Sequence, residues 1–248
     1  MRRFAVWLSA GALAAGLLGG AASAQEGQSL PSAGTDIRDV ESLRRGAHHF
    51  MVYCSGCHSL KYLRYNRMAT DLRIPANELA TLMITSTKPF DPIVSAMPDD
   101  AEAWFGKQPP DLSLVARSRG VDYVYAYLKD YYVDKTRPWG VNNLVLPGSA
   151  MPAVLSPLQG LQNPVFKNEP DEHGSANMVL AGVEPLTAGA LKPEEYDQFV
   201  KDIANFLDYA AEPIKATRRS LGVFVLLFLF VFFVFAYLLK REYWKDVH

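Results

Sequence analysis

Along the chain, apolar residues return in three stripes at steps of three and four, the period of a helix with one buried face. The first, Val40, Leu43, Ala47, Phe50 and Cys54, predicts a helix from about Asp36 into Cys54. The second, Tyr123, Val124, Tyr127, Leu128 and Tyr131, predicts a helix over residues 121–133. The third, Tyr196, Phe199, Ile203, Phe206 and Leu207, predicts a helix opened by Pro193 and closed near Glu212-Pro213. Elsewhere the pattern is broken. Pro75, Pro89, Pro92 and Pro98 divide residues 74–103 into short pieces. Asp111 is placed to cap a short helix over residues 112–117. Residues 61–71, with Tyr62, Leu63, Tyr65 and Met68, read as a short wrap. Residues 135–148 read as loop, and residues 159–190 as irregular apart from a short β-hairpin near 178–183.

Two further apolar runs have no polar face. The first follows Met1-Arg2-Arg3, extends from Phe4 to about Gly20, and meets the small residues Ala22-Ser23-Ala24. A basic start, an apolar stretch and an A-x-A site predict a secretory signal peptide over residues 1–24, of bacterial rather than organellar type. The second covers residues 221–239, nineteen residues without a charge. At ~1.5 Å per residue it is about 28 Å long, the thickness of one hydrocarbon core, and predicts a transmembrane anchor over 218–240. Export then assigns residues 25–217 to the periplasm and 241–248 to the cytoplasm, the anchor lying in the bacterial inner membrane.

Charge changes the picture only after these cuts. The whole chain of 248 residues has a formal net charge of −1. Setting aside Arg2 and Arg3, and then five bases and two acids from Arg218 onward, leaves 18 bases and 24 acids, a net −6, on residues 25–217. Acidic groups gather at Asp99, Asp100 and Glu102, at Glu169, Asp171 and Glu172, and at Glu194, Glu195 and Asp197. Such a surface suits brief docking of a basic protein and implies no nucleic-acid partner.

The first helix leads into Cys54-Ser55-Gly56-Cys57-His58, which holds both cysteines of the chain. Two thiols three residues apart, followed at once by histidine, form the attachment pattern of a covalent haem c. Each thiol adds to a vinyl group, and His58 is held under the iron. A redox dithiol has no need of His58, and zinc requires further ligands at recognisable spacing. A helix into the motif and a terminal helix able to cross it define the fold class: mainly α, a c-type cytochrome domain with large loop insertions plus one C-terminal transmembrane helix.

The ligand opposite His58 decides what the iron does. His48 and His49 lie on the helix entering the motif, His173 in an acidic loop and His248 at the far end. Met151, in the uncharged loop Pro147-Gly148-Ser149-Ala150-Met151-Pro152, is the leading candidate. Met97 and Met178 are alternatives.

Four stretches taken in order resemble the cytochrome c1 family, the haem subunits of quinol–cytochrome c oxidoreductases (cytochrome bc1 complexes). They are Cys54 through Tyr62; Trp104-Phe105-Gly106 with Pro109-Pro110-Asp111-Leu112-Ser113; Pro147 through Pro152; and the single C-terminal span. The resemblance implies one haem c held by Cys54, Cys57 and His58, with Met151 as sixth ligand. It implies that Pro110 packs on the haem, that Arg119 pairs with a propionate and that Tyr123 touches the macrocycle. It implies electrons entering from the Rieske iron–sulfur protein and leaving to a cytochrome c, with cytochrome b, membrane lipid and a second copy of the complex as neighbours. Catalysis then belongs to the assembly, and no independent catalytic site is expected. Two other functions fit the motif: a free-standing membrane-tethered cytochrome c shuttle, and a haem sensor or peroxidase with an open iron site.

Overall fold

The computed structural model describes residues 30–84, 87–98, 100–170 and 176–246. The predicted signal peptide, Asp99, His173 and His248 lie outside them. Helix α1, Val40–Tyr53, starts where the Asp39 carboxylate accepts the Ser42 amide at 3.0 Å. Of the predicted stripe it buries Leu43, Ala47 and Phe50, with Val40 and Cys54 partly buried. Its chain end leads through β1 (Leu60–Arg64) into α2 (Tyr65–Asp71), so the predicted wrap is a strand and a helix. Helix α3, Ala76–Leu82, strand β2, Pro92–Ile93, and helix α4, Glu102–Phe105, are the pieces between the prolines. β2 pairs antiparallel with β1.

Two expectations are corrected in the next stretch. Asp111 caps no helix: α5 is Val115–Ser118, entered from Leu114 without a side-chain cap, and the Asp111 carboxylate accepts the Ser113 and Lys61 amides instead. The tyrosine-rich helix is also shorter than its apolar stripe. α6 ends at Lys129, and Tyr131–Val133 forms β3, paired with β4 (Val141–Asn143). The pairing Tyr131↔Asn143 overrides helical period at that point and puts a strand inside the expected loop. After α7, Ser156–Gln159, strands β5 (Gln162–Pro170) and β6 (Ala176–Pro185) form a hairpin much longer than the sequence suggests.

Helix α8, Pro193–Ala211, crosses α1 and closes the core. Phe50 meets Phe206 with ring centroids 5.7 Å apart. The crossing is tight at Gly46, where a Cβ would lie 2.0 Å from the Asp202 carbonyl oxygen. Next to it the buried Asp202 carboxylate accepts from Arg45 Nε at 2.7 Å, Ser42 Oγ at 2.7 Å and Gln198 Nε2 at 2.9 Å. A buried charge is tolerated only with such partners, and these fix how the two helices cross. Helix α9, Lys215–Tyr243, has 29 residues and is exposed through its apolar length. At ~1.5 Å per residue it is about 44 Å long, enough to cross a bilayer with both ends in the headgroups.

Candidate haem site

The last turn of α1 runs on into the cysteine pair. Cys54 and Ser55 amides both bond the Phe50 carbonyl, then Cys57 and His58 amides both return to the Cys54 carbonyl, at 3.1 and 2.8 Å. Ser55 Oγ donates to the Met51 carbonyl at 2.7 Å. The turn is therefore tied from both ends and carries Cys54 and Cys57. Burial, with a smaller contribution from Cys57, pushes the Cys54 thiol up to about 12. Among the described residues no group of three His, Cys, Asp or Glu side chains gathers to hold an ion.

His58 is 8% exposed, and its Nδ1 lies 2.8 Å from the Pro110 carbonyl oxygen. A carbonyl only accepts, so Nδ1 carries the proton and Nε2 keeps its lone pair. Burial lowers the imidazole below its ordinary value of 6.5, against the opposing effects of Pro110 and Asp111, so the ring is neutral at pH 7. That is the state and tautomer of a ligating histidine whose outer nitrogen is oriented by a carbonyl. The strap supplying that carbonyl is clipped to the segment after the motif. Leu112 N donates to Ser59 O at 2.9 Å, Lys61 N to Asp111 Oδ2 at 3.0 Å and Tyr62 N to Ser113 Oγ at 3.2 Å.

Beyond the strap and α5, Arg119 and Tyr123 meet. Arg119 Nη1 donates to Tyr123 Oη at 3.0 Å, and the guanidinium sits 5.0 Å from the ring centroid. Tyr123 stacks on Tyr127 at 6.0 Å, and Tyr127 meets Tyr131 edge-on at 5.5 Å. The exposed Arg119 has charge to spare for a carboxylate such as a propionate.

Met151 is half-buried and packs on the edge of the core. Its loop is held by residues that sequence reasoning passed over. Asn143, 0% exposed, accepts the Val145 and Leu146 amides through Oδ1 and donates to Tyr127 O. Asn142 Oδ1 accepts the Gly148 amide at 2.8 Å, and Arg137 Nη2 donates to Gly148 O at 2.9 Å. Tyr131 Oη reaches the Met151 carbonyl at 3.1 Å. By contrast Met178 is 74% exposed on β6, and Met97 lies in the segment between β2 and α4. His48 is exposed and His49 packs its ring tilted on Phe199, centroids 4.1 Å apart, in the α1–α8 crossing.

Thiols on the turn that ends a helix, a neutral histidine with one nitrogen already committed, a thioether loop pinned to the core and one long apolar helix define a membrane-anchored c-type haem protein. The sequence profile of the Cytochrome C1 family matches residues 35–247. Cytochrome c1 of Allochromatium vinosum is 52% identical over 90% of this chain and 91% of its own. The ammonia monooxygenase gamma subunit of Nitrosomonas europaea is 43% identical over 88% and 89%. Cytochrome b/c1 of Bradyrhizobium diazoefficiens is 26% identical over 85% of this chain and 34% of its own. The chain belongs to the cytochrome c1 family: it is a membrane-anchored haem electron-transfer subunit of the cytochrome bc1 complex, with one covalently attached haem c.

Proposed function

We propose that Cys54 and Cys57 would carry the haem thioethers, that His58 Nε2 and the Met151 sulfur would hold its iron, and that Pro110, Arg119 and Tyr123 would line the group. The observation that carries this reading is the His58–Pro110 bond, which fixes the tautomer a haem iron needs. The haem supplies a one-electron change of valence, and His-Met ligation favours a high potential. This chain's residues hold it, orient it and present it to partners. Met151 in a pinned loop argues against the open-site sensor or peroxidase, since a held sixth ligand closes the iron to small molecules.

Within a proton-translocating quinol–cytochrome c oxidoreductase, electrons arrive from the Rieske iron–sulfur protein and leave to a cytochrome c. The fused cytochrome b/c1 name of the Bradyrhizobium relative supports cytochrome b as the neighbour, and the complex is read as a dimer. Residues 1–24 are removed on export, 25–217 lie in the bacterial periplasm, 218–240 cross the inner membrane and 241–248 are cytoplasmic. The excess of 24 acids over 18 bases in residues 25–217 favours a basic acceptor. The short link from Ala211 to Lys215 fits a fixed subunit better than a tethered shuttle.

Mild-detergent purification tests the assembly. The chain is expected to co-elute with a b-type haem protein and an iron–sulfur protein, and its haem to be reduced by added quinol. Elution as a lone cytochrome with no quinol-driven reduction would overturn the reading.

A further inference from the structure

The hydroxyls beside Met151 form a connected chain. Tyr131 Oη lies 3.1 Å from the Met151 carbonyl oxygen, 2.8 Å from Tyr127 Oη and 3.4 Å from Ser149 Oγ, and Tyr127 Oη lies 2.7 Å from Ser149 Oγ. Tyr131 Oη has one proton and two acceptors in reach, the Met151 carbonyl and Tyr127 Oη; donation to the carbonyl, which can only accept, leaves Tyr127 to donate to Tyr131 and Ser149 to Tyr127. The run begins at Ser149 and ends at Met151, two residues apart in the same loop, and passes through two tyrosines of the core. Tyr131 is 6% exposed on β3, where its backbone pairs with Asn143, the residue that holds the beginning of the loop. Sequence spacing alone treats Tyr127 and Tyr131 as packing.

We infer that Tyr131 is a positioning residue for the sixth ligand: through its hydroxyl and the Ser149–Tyr127 chain it holds the Met151 backbone where the sulfur stays on the iron. The inference rests on Met151 being that ligand. It does not require Tyr131 to touch the haem. A buried neutral hydrogen bond shifts a local equilibrium by roughly fivefold. Loss of the Tyr131 hydroxyl therefore raises the open fraction of the loop by about that factor. An external ligand that binds only after the sulfur leaves gains apparent affinity in proportion.

The test is an imidazole titration of the oxidised, haem-loaded full chain in detergent, followed by absorption, on four variants. Tyr131→Phe is expected to bind imidazole about fivefold more tightly than wild type. Tyr196→Phe is the control, because Tyr196 Oη donates to the Leu128 carbonyl at 2.8 Å, a buried bond that involves no residue of the loop. It is expected to lose similar thermal stability with imidazole affinity unchanged. Ser149→Ala, which cuts the chain at its outer end, is expected to fall between these two and stands in if Tyr131→Phe does not fold. Met151→Leu is expected to lose the sulfur–iron charge-transfer band and to bind imidazole far more tightly than any other variant. A wild-type affinity in Tyr131→Phe, or an equal gain in Tyr196→Phe, overturns the positioning role while leaving the ligand reading intact. Retention of the band in Met151→Leu overturns the ligand reading itself.

Discussion

His58 and Pro110 are 52 residues apart in the chain and 2.8 Å apart at Nδ1 and the carbonyl oxygen. On the proposed ligation, this bond would make the imidazole a stronger electron donor through Nε2 and favour oxidised iron. Asp111 ties the strap down next to it by accepting two backbone amides. Asp111→Ala is expected to free the strap and remove a nearby negative charge, and both losses stabilise the reduced iron. Redox titration should show the potential raised by a few tens of mV, since about 1 kcal/mol corresponds to roughly 40 mV for one electron. A downward shift would contradict this role for the strap.

Gly46 permits the close crossing of α1 and α8. A methyl group there would lie 2.0 Å from the Asp202 carbonyl oxygen, a backbone atom that cannot rotate away. Gly46→Ala is expected to destabilise the haem domain by about 3 kcal/mol or more in denaturant unfolding. Gly182→Ala on β6, where nothing stands within 4 Å of the added carbon, is expected to change stability by less than about 0.5 kcal/mol. Equal effects at the two positions would refute the crossing as the constraint.

His49 gives the domain an acid-sensitive element. Burial against Phe199 lowers its pKa below the ordinary 6.5; Asp202 opposes this, while His48 and Arg45 add to it. The unfolded chain thus binds a proton that the folded chain resists, so stability falls as pH drops below 6.5 and is unaffected above it. His49→Gln is expected to flatten unfolding free energy between pH 6.5 and about 5, above the range where carboxylates dominate. An unchanged slope in that window would show that His49 contributes nothing to it.

Much of this architecture is legible in the residues because it is carried locally. The Leu43–Ala47–Phe50 stripe, the cysteine spacing, the Tyr196–Phe199–Ile203 stripe and the uncharged span each fit inside one element. What stays hidden depends on distant partners. Asp111 has the residue type of a helix cap, but its oxygens go to Lys61 and Ser113 because the strap lies against β1. Tyr131 continues a helical stripe in sequence and is drawn into a strand by Asn143. The β5–β6 hairpin carries Pro164, Pro170 and several polar residues in place of alternating apolar ones, and only cross-strand pairing reveals its length. In the site, Cys54, Cys57, His58 and Met151 are marked by motif and loop chemistry. Asn143, Asn142 and Arg137 act through hydrogen bonds to a loop and leave no periodic signature.

On the proposed ligation, Met151 opposite His58 sets the potential at which the haem relays electrons. Redox titration of the haem in the isolated complex, wild type against Met151→Leu, tests it most directly. The variant's potential is expected to fall by roughly 100 mV or more, within the ~0.8 V range that axial ligands span, and quinol-driven reduction of this haem to fail with it. A variant with unchanged potential and full quinol-driven reduction would contradict it.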